Sequence, residues 1–138
     1  MSPRSKYHVR QDAQGKADRT RDGILFGSKL ERIRYDELKL LERAKAIEYV
    51  RRQVPFTLLA WSAGLGRSVE IGKYIADFCY FDAKLKRDIV EDVKGMRTPV
   101  YQLKKKMVKA CYGIEIHEWP ERAKKARAKR NGKPRLLK

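Results

Sequence analysis

With 138 residues, 42% of them apolar and 37% charged, the chain has the size of one domain and enough apolar material for one core. Its formal net charge of +17 is extreme for this length and points to a polyanionic partner, most often nucleic acid. No apolar run approaches the roughly 18 residues needed to span a bilayer, and "MSPRSKYHVRQD" lacks the apolar stretch of a secretory signal, so a cytoplasmic protein is expected. Cys79 and Cys111 are too far apart in sequence for a zinc-ligand spacing and read as reduced, packed side chains.

Residues 1–22 are polar, carry a net charge of +3 and are expected to be a basic N-terminal arm. "GILF" (23–26) has the composition of a short strand. Ser28 followed three residues later by Glu31 makes a capping box, and Leu30, Ile33, Leu40, Leu41, Ala44 and Ile47 predict an amphipathic helix of about five turns. "YVRRQVPFTLLAW" (49–61) reads as extended, with Pro55 at an edge or bend, and "SAGLGRS" as a turn. Its "GLGRS" has no helix behind it and is not a phosphate cradle. "VEIGKYIADFCYFD" (69–82) and "DIVEDVKG" (88–95) read as strands of one hairpin across "AKLKR". Thr98, Pro99 and Gly113 delimit a second helix by N-cap, first-turn proline and C-terminal glycine. Its buried stripe is expected to be Val100, Leu103, Met107, Ala110 and Cys111, with Lys105, Lys106 and Lys109 outside. "IEIHEW" (114–119) closes the fold as a strand. The order implies an α/β fold, a mixed central β-sheet flanked by helices. Residues 121–138 carry a net +8 and form a basic C-terminal tail after a domain over 23–120.

Strands are depleted in acidic residues and lysine, yet "IVEDVKG" carries Glu91, Asp92 and Lys94 together. Strand alternation puts Asp92 with Val90 and Lys94 on one face and Glu91 on the other, where it reads as structural. Asp77, fifteen residues earlier in the partner strand, shares a face with Ile75 and Cys79. If the two faces coincide, two carboxylates and a lysine converge, an arrangement that a divalent cation stabilises. Asp77, Asp92 and the main-chain carbonyl of Val93 suit Mg²⁺, which takes oxygen ligands, and Lys94 suits proton transfer or charge stabilisation beside it.

"IADF…IVEDVKG" after a helix bearing Glu31 resembles the PD-(D/E)XK nuclease superfamily. Asp77 matches the first acidic residue, with Ala76 where the superfamily name has proline, and Asp92-Val93-Lys94 matches the (D/E)-x-K part. Over residues 23–118 the chain is similar to archaeal-type Holliday junction resolvases and to small phage-encoded nucleases. The resemblance implies a restriction-endonuclease-like core and a glutamate from the first helix as third acid. Glu31, four residues after Gly27, and Glu37, which opens "ELKLLE", both fit; Glu31 is preferred, because a site at the rim of the sheet need not face the core. Gln102 and Lys104 in the second helix are candidates for approach to the scissile phosphate, and Lys105 beside them for DNA binding. His8 and His117 are isolated and receive no role.

The resemblance further implies a Mg²⁺-dependent endonuclease, with Mn²⁺ as a substitute, using Glu31, Asp77 and Asp92 as ligands and Lys94 as catalytic partner. Its substrate would be branched DNA, the four-way junction above all, cut symmetrically by a homodimer. The tail, with Lys124, Lys125 and Arg127, would close on DNA phosphates, and the enzyme would act in the host cytoplasm if phage-encoded. Two alternatives stand beside it: the same chemistry on flapped or linear DNA, and a non-catalytic basic nucleic-acid-binding protein.

Overall fold

The structure, a computed structural model, describes residues 9–94 and 96–121. The expected tail over 121–138, with Lys124, Lys125 and Arg127, lies outside these residues apart from Glu121, and so do His8 and Gly95. No helix among the described residues is long and apolar enough to cross a membrane.

Residues 9–22, expected to belong to an arm, fold against the domain instead. Asp12 caps a short helix, α1 (Ala13–Asp18), by accepting from the Gly15 amide at 2.8 Å. Strand β1 (Thr20–Arg21) pairs with β2 (Ile24–Leu25), the latter within the expected "GILF" strand. The anchor is Arg19, buried among main-chain acceptors: its Nε donates to the Phe26 carbonyl at 3.0 Å and its Nη1 to that of Arg10 at 2.5 Å. A charged side chain used this way gives no apolar pattern, so composition alone assigns the segment to an arm.

Helix α2 (Lys29–Arg43) starts at Ser28, whose hydroxyl accepts from the Glu31 amide at 3.1 Å. It ends a turn earlier than expected, and Ile47 opens the next strand. Its buried side is also rotated from the expected stripe. Tyr35 and Leu38 are buried with Leu30 packed beside them, while Leu40 and Leu41 are exposed. Strands β3 (Ile47–Ser62) and β4 (Arg67–Asp82) form a long antiparallel ribbon. Strand β5 (Arg87–Val93) pairs antiparallel with the last third of β4, and β6 (His117–Trp119) pairs parallel with β5. The result is a mixed four-stranded sheet ordered β3-β4-β5-β6.

Helix α3 (Pro99–Tyr112) has the expected boundaries, with the Thr98 hydroxyl accepting from the Tyr101 amide and Gly113 in the left-handed region at φ 69°. Its stripe differs as well: Tyr101 and Val108 are buried, whereas Val100, Leu103 and Ala110 are exposed. The sheet separates two apolar clusters. Phe26, Tyr35, Leu38, Ile47, Phe78, Tyr80 and Val93 lie on the α2 side. Leu58, Tyr74, Ala76, Cys79, Val90, Tyr101, Val108 and Ile116 lie on the α3 side. The fold is thus α/β, a mixed central sheet flanked by helices.

Candidate active site

Strict strand alternation would send Ala76, Phe78 and Tyr80 to one face. They divide instead: Ala76 and Cys79 join the α3 cluster, Phe78 and Tyr80 the α2 cluster. The alternation breaks at Asp77, so Ile75, Asp77 and Cys79 do not share a simple face. Asp77 and Gln53 drop out of the β3–β4 ladder between the pairs Val54–Ala76 and Arg52–Phe78, and Gln53 takes φ 50°. On the other side β5 pairs with β4 only as far as Phe78–Glu91. Asp77 therefore stands where β4 and β5 part, and its Oδ2 accepts the Val93 amide at 2.8 Å in place of a main-chain partner.

Asp92 points to the α3 side and is buried. The Tyr74 hydroxyl donates to its Oδ2 at 2.5 Å. The Lys94 ammonium lies 2.7 Å from its Oδ1, off the hydrogen-bond direction, so this buried oxygen has an ion-pair partner and no hydrogen bond. Lys94 also stacks 3.8 Å from the centre of the Tyr101 ring, between a carboxylate and a π-face. From α2, Glu31 reaches the same place. Its carboxylate bonds the Gly27 backbone, and a Cβ on residue 27 would sit 3.1 Å from Oε1, so a side chain there would press the carboxylate aside by a few tenths of an ångström.

Glu31, Asp77, Asp92, Val93, Lys94 and Lys104 line one cleft of about 370 Å³, with Lys73, Tyr74 and Tyr101 in its wall. Burial, followed by the charges of Glu31 and Asp92, pushes the Asp77 carboxyl up to about 7. Burial also raises Glu31, against the Gly27 hydrogen bond and with the Asp92 charge. Tyr74 is raised by burial and by Asp92 and stays a neutral donor. This mutual repulsion is what a divalent cation relieves, and Asp92 Oδ1 and Asp77 Oδ1, the latter with only Gln53 at 3.5 Å, have acceptor capacity left. The donor set fits a hard cation. As the side chains stand, no three His, Cys, Asp or Glu among the described residues are gathered closely enough to hold one together, so a cation held by all three carboxylates would draw them closer.

The remaining candidates lie elsewhere. Glu37 is outside the cleft and pairs with Arg34 at 2.9 Å, while Gln102 is exposed on α3. Lys105 bonds Glu118 at 2.6 Å. Glu91 faces α2 and is fully buried; Arg34 grips both its oxygens at 2.6 and 2.9 Å, and the Tyr80 hydroxyl adds a bond at 2.6 Å. His117 is 3.9 Å from the same carboxylate. Sequence reasoning misses Tyr74, Tyr101 and Lys73, and uses Gly27 only as a marker ahead of Glu31. The available signal for Tyr74 is its place on the Tyr74–Ala76 buried alternation, and for Tyr101 its first-turn position after Thr98.

No curated protein and no solved structure matches the chain. A family model described as a protein of unknown function, DUF1064, matches residues 4–128, nearly the whole chain, and the protein belongs to that family.

Proposed function

We propose that this protein is a Mg²⁺-dependent endonuclease that hydrolyses phosphodiester bonds of branched DNA, four-way junctions above all, as a homodimer. The observation that carries the reading is the convergence of Glu31 from α2, Asp77 from β4, Asp92 from β5 and Lys94 just beyond it on a single cleft of a chain with net charge +17. A mixed sheet between helices is compatible with a restriction-endonuclease-like core, and Asp77 with Asp92-Val93-Lys94 has the motif spacing of the PD-(D/E)XK superfamily.

Asp77, Asp92 and Glu31, with the Val93 carbonyl, would hold Mg²⁺ or Mn²⁺. Bound there, the cation supplies Lewis acidity and lowers the pKa of water. The chain's own residues do the rest. Tyr74 fixes the Asp92 carboxylate through one oxygen and leaves the other without a hydrogen bond. The Asp77 carboxylate is oriented by the Val93 amide. Lys94, held by Asp92 and Tyr101, offers its ammonium to a phosphate oxygen and offsets the charge that builds up there during attack. Lys73 and Lys104 stand in the same cleft as positioning cations for the sugar-phosphate backbone. Two such sites related by a two-fold axis address opposed strands of a junction.

The test is incubation with end-labelled four-way junction, flap and linear duplex, each with Mg²⁺ and with chelator. Paired cuts in the junction, only with metal and faster than in linear duplex, are expected. Equal cutting of all three would move the substrate to DNA at large. Binding with no cutting under Mg²⁺ or Mn²⁺ would make the protein a non-catalytic nucleic-acid binder.

A further inference from the structure

Residues 53–66 contain no charged side chain, the longest such run in a chain that is 37% charged. They form the outer half of β3 and the turn to β4. Strand β3 is an edge of the sheet, and β5 leaves β4 beyond Phe78, so the outer ribbon is two strands wide with both edges unpaired among the described residues. One face is covered by α3: the Tyr112 hydroxyl donates to the Thr57 carbonyl at 2.6 Å, its ring meets Phe56 edge-on at 5.5 Å, and Leu58 is buried. Away from α3, across a register shift between Leu58 and Leu59, the side chains of Leu59, Trp61, Ile71 and Ile75 are between 48% and 69% exposed, with Glu70 opposite Leu59 and Leu65 at 63% in the turn.

Soluble proteins blunt open strand edges with charge, lysine above all. On the β3 edge Pro55 removes one donor but 53–62 carry no charge, and the β4 edge has only Arg67, Glu70 and Lys73. The segment is also a poor match for nucleic acid, since 53–75 holds two cations, Arg67 and Lys73, against Glu70. Two copies of a +17 chain repel over most of their surface, and this ribbon is where they approach with least repulsion and most apolar area. From these observations we infer that the uncovered face of the outer β3–β4 ribbon is the surface through which two copies of this chain associate. A two-fold contact would set this apolar face against its own copy. Lys73 and Ile75, at the root of the ribbon, line the carboxylate cleft, so ribbon pairing sets the position of one cleft relative to the other. The inference names the contact for the homodimer proposed above.

The experiment is sedimentation velocity of the nucleic-acid-free full chain across the micromolar range, with Leu59→Glu, Trp61→Glu and, as control, Leu40→Glu on the exposed side of α2. The wild type and the control should sediment as two copies. The ribbon variants should sediment as one, with association weakened roughly tenfold or more. Hydrogen exchange on the wild type at low and high concentration gives a readout without mutation: amides of 54–75 should gain protection on association. A monomeric wild type, dimeric ribbon variants, or protection confined to another surface overturns the inference. Ribbon variants that stay dimeric but lose DNA binding overturn it too, and make the ribbon a DNA contact. Mass and cleavage are read separately: a wild-type dimer split by the ribbon variants keeps the inference even if no DNA is ever cut.

Discussion

Glu91 and Asp92 are neighbours on β5 that face opposite helices, and the difference separates structure from chemistry. Glu91 is saturated by Arg34 and Tyr80, whereas Asp92 keeps one oxygen without a hydrogen bond beside Lys94. Of the two glutamates that fit the third acid, Glu31 lines the cleft and Glu37 pairs outside it. Glu31→Gln should therefore cut the Mg²⁺-dependent rate by roughly a hundredfold or more, while Glu37→Gln stays within a few-fold of wild type, as single-turnover kinetics will read. The pH dependence follows from the same cluster. Asp77 titrates near 7 when folded, far above its ordinary 3.8. Its contribution to stability is present below about pH 4 and is lost as pH rises through 7. Glu118 acts in the opposite sense: burial raises it, but Lys105 and Arg97 outweigh burial and hold it low, so its contribution is lost in acid. Metal-free protein should melt highest near pH 5 and lower at pH 8. Asp77→Asn should flatten the alkaline fall, and Mg²⁺ at pH 8 should restore the wild type but not the variant. An unchanged melting temperature between pH 5 and 8 would count against the carboxylate cluster.

At the scale of elements, α2 and β5 are joined by the Arg34–Glu91 pair, which also holds Glu31, one turn earlier on α2, beside Asp92. Burial works against the Arg34 charge, and Glu91 more than compensates, leaving the guanidinium above its ordinary pKa. Arg34→Ala leaves a fully buried carboxylate unpaired and should cost about 3–5 kcal/mol in urea unfolding. A cost below about 1 kcal/mol would mean that water or a neighbour takes the place of Arg34. The elements themselves were legible: Ser28, Thr98, Pro99 and Gly113 mark helix ends by local chemistry, and alternation with turn residues marks the β4–β5 hairpin. Helix rotation was not. Leu40, Val100 and Leu103 have core composition but face outward, while Tyr35, Tyr101 and Arg34, with polar tips, face the sheet. Apolar spacing cannot see that a buried ion pair or tyrosine hydroxyl will find partners on another element. For the same reason Asp77, Asp92 and Lys94 could be picked out together from "IADF…IVEDVKG", while the break in alternation at Asp77 and the Tyr74 bond to Asp92 could not. Register irregularity depends on β3, which is distant in sequence.

For the whole molecule, charge decides where partners approach. The C-terminal segment 121–138 carries +8 of the total +17. Each phosphate neutralised releases counterions, so deleting this segment should weaken binding to junction and duplex alike and flatten log K against log salt by several units. Cleavage by saturating enzyme in low salt should be nearly unchanged, because no proposed site residue of the cleft lies there. An unaltered salt slope would remove the segment from the DNA contact. On the proposed reading the cleft would serve chemistry, the charge-poor ribbon self-association and the basic segment phosphate attraction. The chemistry is the central claim, and single-turnover cleavage of a labelled four-way junction in Mg²⁺ by wild type and Asp92→Asn, with binding measured on the same samples, tests it most directly. The wild type should cut and the variant should not, while binding the junction as tightly or more so. Equal Mg²⁺-dependent cutting by the variant, or no cutting by the wild type in Mg²⁺ or Mn²⁺, would contradict the account.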